Sequence, residues 1–330
     1  MIVAVSQARW NDPDVIAEAQ AWGRKSCARL GLDLAGPIEQ PHIRPWSTVF
    51  RIPTARGAVY LKACGPSQAH EPRLTALLQR EVPDLVPSVL ALHPRHPWML
   101  VAEGGRKLRE AFSPEEMLAE WERLMPRYAE LQLRLASRCA EMLAFGTPDR
   151  RMRRMADDFA ALLADERLVG QGGQGALTIE ELSALHRLVP VIASSCDALA
   201  ALGLPDSVEH NDLHDGNVLV DGDRRVVFDW GDACVSQPFL SVMLPLRMAA
   251  FRLSLSENAP AIRRLAAAYA EPFSAFAPPA VIAEALELGR RLGQVNRALT
   301  WHVVATRIPE ALELGYDTAS SLRRILATFS

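Results

Sequence analysis

The stretch Val208–Val220, VEHNDLHDGNVLV, packs two His, two Asp and two Asn into the eight residues from His210 to Asn217. Short polar side chains compete with the backbone for its own hydrogen bonds, so this segment reads as a loop. The apolar run Val218–Val220 follows, then Asp-Gly-Asp at 221–223, then Arg224–Asp229. Asp-Gly between two apolar runs predicts a tight hairpin. A two-stranded ribbon returns to where it began. Asn217 opens its first strand and Asp229 closes its second, so a spacing of twelve residues suits two ligands of one ion.

The rest of the chain divides by period. Asp12 before Pro13 is an N-cap followed by proline at the first helical position, and Gly31 offers a stop, which predicts a helix over about 13–30. VFRIP, TARG and AVYLKA read as two strands and a turn, EPRLTALLQREV as a helix, and PSVLALH and PWMLVAE as two further strands. Residues 36–103 therefore predict a small antiparallel sheet with a packed helix. Past Glu103-Gly104-Gly105 the pattern becomes helical. Ser113 and Glu116 form one capping box, Thr178 and Glu181 a second, and Pro126 is expected to kink or divide the helix it interrupts. Beyond Trp230 everything reads as helix. The fold class is α+β: an N-terminal lobe over 1–103 with antiparallel sheet and helix, and a larger, mostly helical lobe over 104–330 that carries the hairpin.

Length and charge restrict the partners. A chain of 330 residues supports two lobes. A net charge of −3 provides no electrostatic footprint for nucleic acid or an anionic membrane. Five scattered cysteines without a CxxC point to reduced thiols, and no signal peptide or membrane span is legible, so a cytoplasmic monomer or homodimer is expected. GQGGQG at 170–175 matches G-x-G-x-x-G by letter. It follows no strand, so it reads as a surface loop and not as a phosphate cradle.

What the polar stretch offers is a joint order: Lys62 ending a strand, Glu71 opening a helix, His210-x-Asp212-x(4)-Asn217, a hairpin, then Asp229-Trp230-Gly231. Phosphoryl transfer needs such groups, because positioning and charge neutralisation do most of the work. Asp212 suits the carboxylate that receives the acceptor's proton. Asn217 and Asp229 offer the hard oxygens that Mg²⁺ prefers. Lys62, steadied by Glu71, suits the nucleotide phosphates. Glu81 lies on the same helical stripe as Glu71 and competes for that pairing.

At these residues the chain resembles the aminoglycoside phosphotransferase and choline kinase-like family, the small-molecule branch of the protein-kinase-like superfamily. The family's loop is H-G-D-L-H-x-G-N. Here it is His210, Asn211, Asp212, Leu213, His214, Asp215, Gly216, Asn217, with one departure at Asn211. The resemblance implies a bilobal kinase fold, ATP (or GTP) with Mg²⁺, and phosphate transfer to a hydroxyl of a small molecule such as an aminoglycoside or amino sugar. It implies Asp212 as catalytic base, Asn217 and Asp229 as metal ligands, and Lys62 and Glu71 at the nucleotide; His210 is grouped with Asp212 as a catalytic-loop residue, expected to brace the loop from a buried position. Residues 100–104, including Val101 and Glu103, correspond to the hinge that would hold adenine. The usual glycine-rich loop is missing, and Ser47 and Thr48 stand in its place as phosphate donors. Asp232, Trp301, His302 and Glu310 are the candidates for substrate contact. No A-P-E follows the DWG segment, which disfavours a peptide substrate. Two other readings remain: a nucleotide-binding pseudokinase, and a zinc or manganese hydrolase using His210, Asp212 and His214 on one strand face.

Overall fold

The computed structural model describes residues 7–165, 177–307 and 318–329. These form strands β1 (Glu39–Arg44), β2 (Ser47–Thr54), β3 (Gly57–Cys64), β4 (Val89–Leu92), β5 (Trp98–Ala102), β6 (Arg106–Lys107), β7 (Ser207–Glu209), β8 (Val218–Asp221), β9 (Arg224–Val227) and β10 (Cys234–Ser236). The helices are α1 (Pro13–Arg29), α2 (Glu71–Glu81), α3 (Leu108–Ala111), α4 (Pro114–Leu135), α5 (Cys139–Ala144), α6 (Met152–Leu163), α7 (Ile179–Ala201), α8 (Met243–Arg252), α9 (Pro260–Ala270), α10 (Pro279–Arg307) and α11 (Thr318–Phe329). The described residues cluster into two compact units. One draws on residues 7–105, 219–231 and 303–307, the other on 106–165, 177–218, 232–302 and 318–329.

The first unit is built on an antiparallel sheet of order β1-β2-β3-β5-β4. Alternation along β3 sorts its side chains between two faces. Val59, Leu61 and Ala63 enter a core with Phe50, Ile52, Trp98, Leu100 and, from the N-terminal segment, Trp10, Ala19 and Cys27. Helix α1 reaches that core closely, since a Cβ at Gly23 would stand 2.7 Å from Ile52 Cδ1. Asp12 caps α1 through the Asp14 N–H at 2.9 Å, as its sequence predicts. Lys62 and Cys64 point the other way. Strand β1, EQPHIR, carries one aliphatic residue and no periodic signal, so the sequence does not mark it; pairing with β2 makes it a strand.

The second unit is helical around a buried polar core. Both expected capping boxes form, at Ser113 and Thr178. Helix α4 runs undivided through Pro126, contrary to a break there. Trp121, Leu124, Met125, Tyr128 and Leu131 on either side are buried to within 2% exposure, and that packing outweighs one lost backbone hydrogen bond. The expectation of helix alone after Trp230 is also corrected: β10 pairs antiparallel with β7, Cys234 opposite Glu209 and Val235 opposite Val208. Three residues are too few to show a period. Among the described residues no helix is long and apolar enough to cross a membrane.

Candidate active site

In the first unit, Lys62 lies between two carboxylates. Its Nζ donates to Glu71 Oε1 at 2.7 Å and to Asp229 Oδ1 at 2.5 Å. Strand β3 sets the lysine opposite Val49 and Met99, and the first turn of α2 sets Glu71. Burial alone would depress the ammonium, but Asp229 and then Glu71 outweigh it and hold Lys62 above its ordinary range. Glu71 is fully buried, and burial raises its carboxyl against the pull of Lys62. Cys64, two residues along the same strand face, donates Sγ–H to Glu71 Oε2 at 3.2 Å. Glu81 instead lies 3.6 Å from Arg80, so Glu71 is the partner of Lys62.

Asp229 follows the β8–β9 hairpin at φ +66°, a left-handed backbone that a non-glycine residue adopts only under constraint. The constraint is local. Trp230, fully buried, donates its indole N–H to Val227 O at 2.9 Å, and a Cβ at Gly231 would meet Gln68 at 2.4 Å. The predicted hairpin forms with a two-residue turn at Gly222 and Asp223, Gly222 at φ +55°.

The loop from His210 to Asn217 belongs to the second unit and contains no strand. His210, fully buried, accepts the Asp212 N–H on Nδ1 at 3.2 Å, and His214 accepts the Gly216 N–H on Nδ1 at 2.9 Å. Both imidazoles thus brace the backbone. The strand face required by the zinc or manganese reading is not formed, and no group of three or more His, Cys, Asp or Glu among the described residues is arranged to hold a metal. Asn217 donates Nδ2 to Asp212 O at 2.9 Å and to Asp212 Oδ2 at 3.0 Å. Nothing among the described residues donates to its Oδ1, which leaves a hard oxygen for a cation. Asn211, where the resembling family has glycine, sits at φ +60°, a conformation asparagine tolerates.

The Asp212 carboxylate is gripped by Arg297, a residue the sequence did not mark. Arg297 Nη2 donates to Asp212 Oδ1 at 2.7 Å, and Nη1 donates to Asn211 O at 2.7 Å and to Asp232 Oδ2 at 3.2 Å. Its guanidinium lies over the Trp301 ring, 4.6 Å from the centroid. Burial pushes Asp212 up, but Arg297 first, then His214 and His210, hold it below the ordinary carboxylate range. His214 Nε2 lies 3.6 Å from Asp212 and Nδ1 3.8 Å from Asp215; burial lowers its pKa and the two carboxylates raise it, while the Gly216 N–H on Nδ1 is held by the neutral ring. Asp215 in turn holds Arg252 Nε at 2.8 Å. Beneath the loop, Glu209 accepts the Asn211 N–H at 2.7 Å and Asn296 Nδ2 at 2.6 Å, and burial raises it to about 7.

The remaining predicted residues are placed as follows. Ser47 and Thr48 are buried in β2, and the Thr48 hydroxyl donates to His42 O while accepting from Gln40 Nε2, so its one donor is already used. Val101 pairs with Tyr60 and Val89 inside the sheet; Glu103, just past β5, accepts from the Tyr60 hydroxyl and the Ala58 N–H. Asp232 and Trp301 meet at Arg297, whereas His302 pairs with Asp165 at 3.1 Å. Glu310 and the 170–175 glycine stretch lie outside the described residues.

Comparison with known proteins agrees with this fold. A choline/ethanolamine kinase family protein from Mesorhizobium loti superposes with a TM-score of 0.57 at 20% identity, over 90% of this chain and 89% of its own. An ethanolamine kinase from Plasmodium vivax gives 0.61 at 12%, over 89% and 82%. A macrolide 2'-phosphotransferase from Brachybacterium faecium gives 0.56 at 19%, over 90% and 96%. No curated protein sequence matches the chain. The profile of the phosphotransferase enzyme family does match, over residues 46–281, more than two-thirds of the length. The α+β chain with its five-stranded sheet thus shares the fold of these kinases, and it belongs to the phosphotransferase enzyme family.

Proposed function

We propose that this protein transfers the γ-phosphate of ATP, bound with Mg²⁺, to a hydroxyl of a small molecule. The observation that carries the reading is Lys62: a nearly buried cation set between buried Glu71 and the 41% exposed Asp229. Such a lysine is oriented by one carboxylate and has its other partner at a surface where phosphates and their ion can arrive. Residues 1–103 would form the nucleotide lobe, with Val101 and Glu103 at the adenine edge and Ser47 at the phosphates. Residues 104–330 would form the acceptor lobe. Asn217 Oδ1 and the Asp229 carboxylate are the oxygen types that suit Mg²⁺, which when bound would neutralise phosphate charge.

Asp212 would orient the acceptor hydroxyl. The acceptor oxygen bonds to the γ-phosphorus, the bond to the ADP oxygen breaks, and the hydroxyl proton passes to Asp212 and on to solvent. Because Arg297 and Asn217 hold that carboxylate ionised and fixed, it contributes mainly position and charge. The test is a pair of variants. Asp212→Asn should keep Mg·ATP binding and lose on the order of 10²–10⁴ in turnover. Lys62→Met should weaken Mg·ATP binding. Full turnover in the first, or unchanged titration in the second, overturns the assignment.

A further inference from the structure

Among the described residues, Asp212, Asp215 and Asp232 each already have a cation. Asp212 and Asp232 share Arg297, Asp215 holds Arg252, and the His214 ring stands between Asp212 and Asp215. A polycationic acceptor such as an aminoglycoside would have to displace these internal partners.

Among the described residues, α8 and α10 bring a positive charge without an ion pair close to this cluster. Arg290, Gln294, Arg297 and Trp301 recur at intervals of four, three and four along α10, so they share one face. That face is the partly exposed one; Leu292, Val295, Asn296 and Leu299 behind it are buried. Arg290 is paired with Glu257 at 3.3 Å, and Arg297 with Asp212 and Asp232. Gln294, one turn before Arg297, accepts instead from Arg247 Nη1 of α8 at 3.1 Å. Among the described residues that amide is the only side chain Arg247 bonds, and no carboxylate forms an ion pair with it. Arg247 is half-buried. Its burial first, then Arg324 and Arg297 nearby, push it down to about 10 against the weaker pull of Glu257. Among the described residues, four of its five N–H donors remain, in a planar fork that matches a carboxylate or phosphate.

We propose that Arg247, held by Gln294 one helical turn before the Arg297 that fixes Asp212, binds an anionic group of the acceptor, a carboxylate or a phosphate. The acceptor is then a small hydroxylated anion. This rests on the kinase reading above, which takes Asp212 as the acceptor-side carboxylate.

The test uses the full chain saturated with Mg²⁺ and a non-hydrolysable ATP analogue for binding, and with Mg·ATP for ADP release. Glycerate and glycerol 3-phosphate are the anionic probes and separate carboxylate from phosphate. Glycerol is the neutral control, ethanolamine the cationic one and kanamycin the polycation. At least one anion should bind the wild type, Arg247→Gln should weaken it by about tenfold or more, and Arg247→Lys should retain part of the affinity. Gln294→Leu, which leaves every charge in place, should weaken it less. Where ADP is released, the loss should fall on KM more than on kcat. Failure of both anions to bind the wild type overturns the proposal, as does equal binding by Arg247→Gln, or turnover of kanamycin or ethanolamine without turnover of either anion. Titration of the ATP analogue itself reports on the kinase reading separately: loss of nucleotide binding sinks that reading, whereas nucleotide binding without anion binding sinks only this one.

Discussion

Arg297 meets two carboxylates with one charge, at 2.7 Å to Asp212 and 3.2 Å to Asp232. Removing it would leave two like charges facing each other with reduced access to water. Arg297→Met should therefore raise the Asp212 pKa and move the acid limb of the kcat/KM profile upward by about one pH unit or more. Stability should fall by on the order of 2–3 kcal/mol. A broken buried pair costs about 3–5, and both carboxylates keep some solvent contact. An unmoved acid limb would show that the guanidinium does not set the charge of Asp212. The sequence could not show this residue. It sits mid-helix as one of several arginines, and its partners lie 85 and 65 residues earlier in the chain. That Lys62 would meet Glu71 was expected from the order of strand lysine and helix glutamate, and that Asp212 and Asn217 would share a loop from their spacing. Their hydrogen bonds were not, since spacing fixes order and not rotamers.

Elements hold these residues through close backbone approaches, and Gly105 is one. It has φ +90°, and a Cβ there would stand 2.0 Å from Val220 O on β8. The carbonyl belongs to a paired strand and cannot yield as a flexible side chain would. Gly105→Ala should cost about 3 kcal/mol or more by urea unfolding, combining backbone strain with overpacking. Gly31, at φ +66° with nothing within 4 Å, is the control: its alanine variant should cost only the strain, about 1 kcal/mol. Equal losses would refute the clash. Strand β7 carries a pH dependence of its own. Glu209 is raised to about 7 by burial, so the folded state keeps a proton that the unfolded chain releases near its ordinary pKa of about 4.5. Its stabilising contribution is fully present below about pH 4.5 and is lost as pH rises through about 7. Unfolding free energies at about pH 5 and 8 should differ more in the wild type than in Glu209→Gln; parallel profiles would assign the proton elsewhere. Helices, caps and the hairpin were legible here because they are local. Strands β1 and β10 were not, because partners distant in sequence make them.

At the scale of the whole chain, the order of strands followed by helices was legible from the change of period near Gly105, and the α+β class follows from it. That residues 219–231 cluster with the N-terminal sheet was not, since contacts such as Val227 N–H to Leu85 O join segments far apart in the chain. The cysteines sample both units and test the arrangement together. Cys27, Cys64, Cys196 and Cys234 are buried, while Cys139 is half-buried and donates to Asp206 O at 3.3 Å. Burial raises all five thiols above their ordinary range, so the nucleophilic thiolate is scarce in each. Attack by a disulfide reagent at about pH 8 needs both access and thiolate, and the native protein offers neither at four positions. The native chain should therefore show at most one slow thiol, lost in Cys139→Ser, while the chain in denaturant titrates all five. Two or more thiols reacting rapidly before unfolding would place a cysteine at the surface and contradict the packing of the unit that carries it. A burst that follows the unfolding rate, by contrast, would report the opening of that unit, because a buried thiol reacts only as fast as its surroundings expose it.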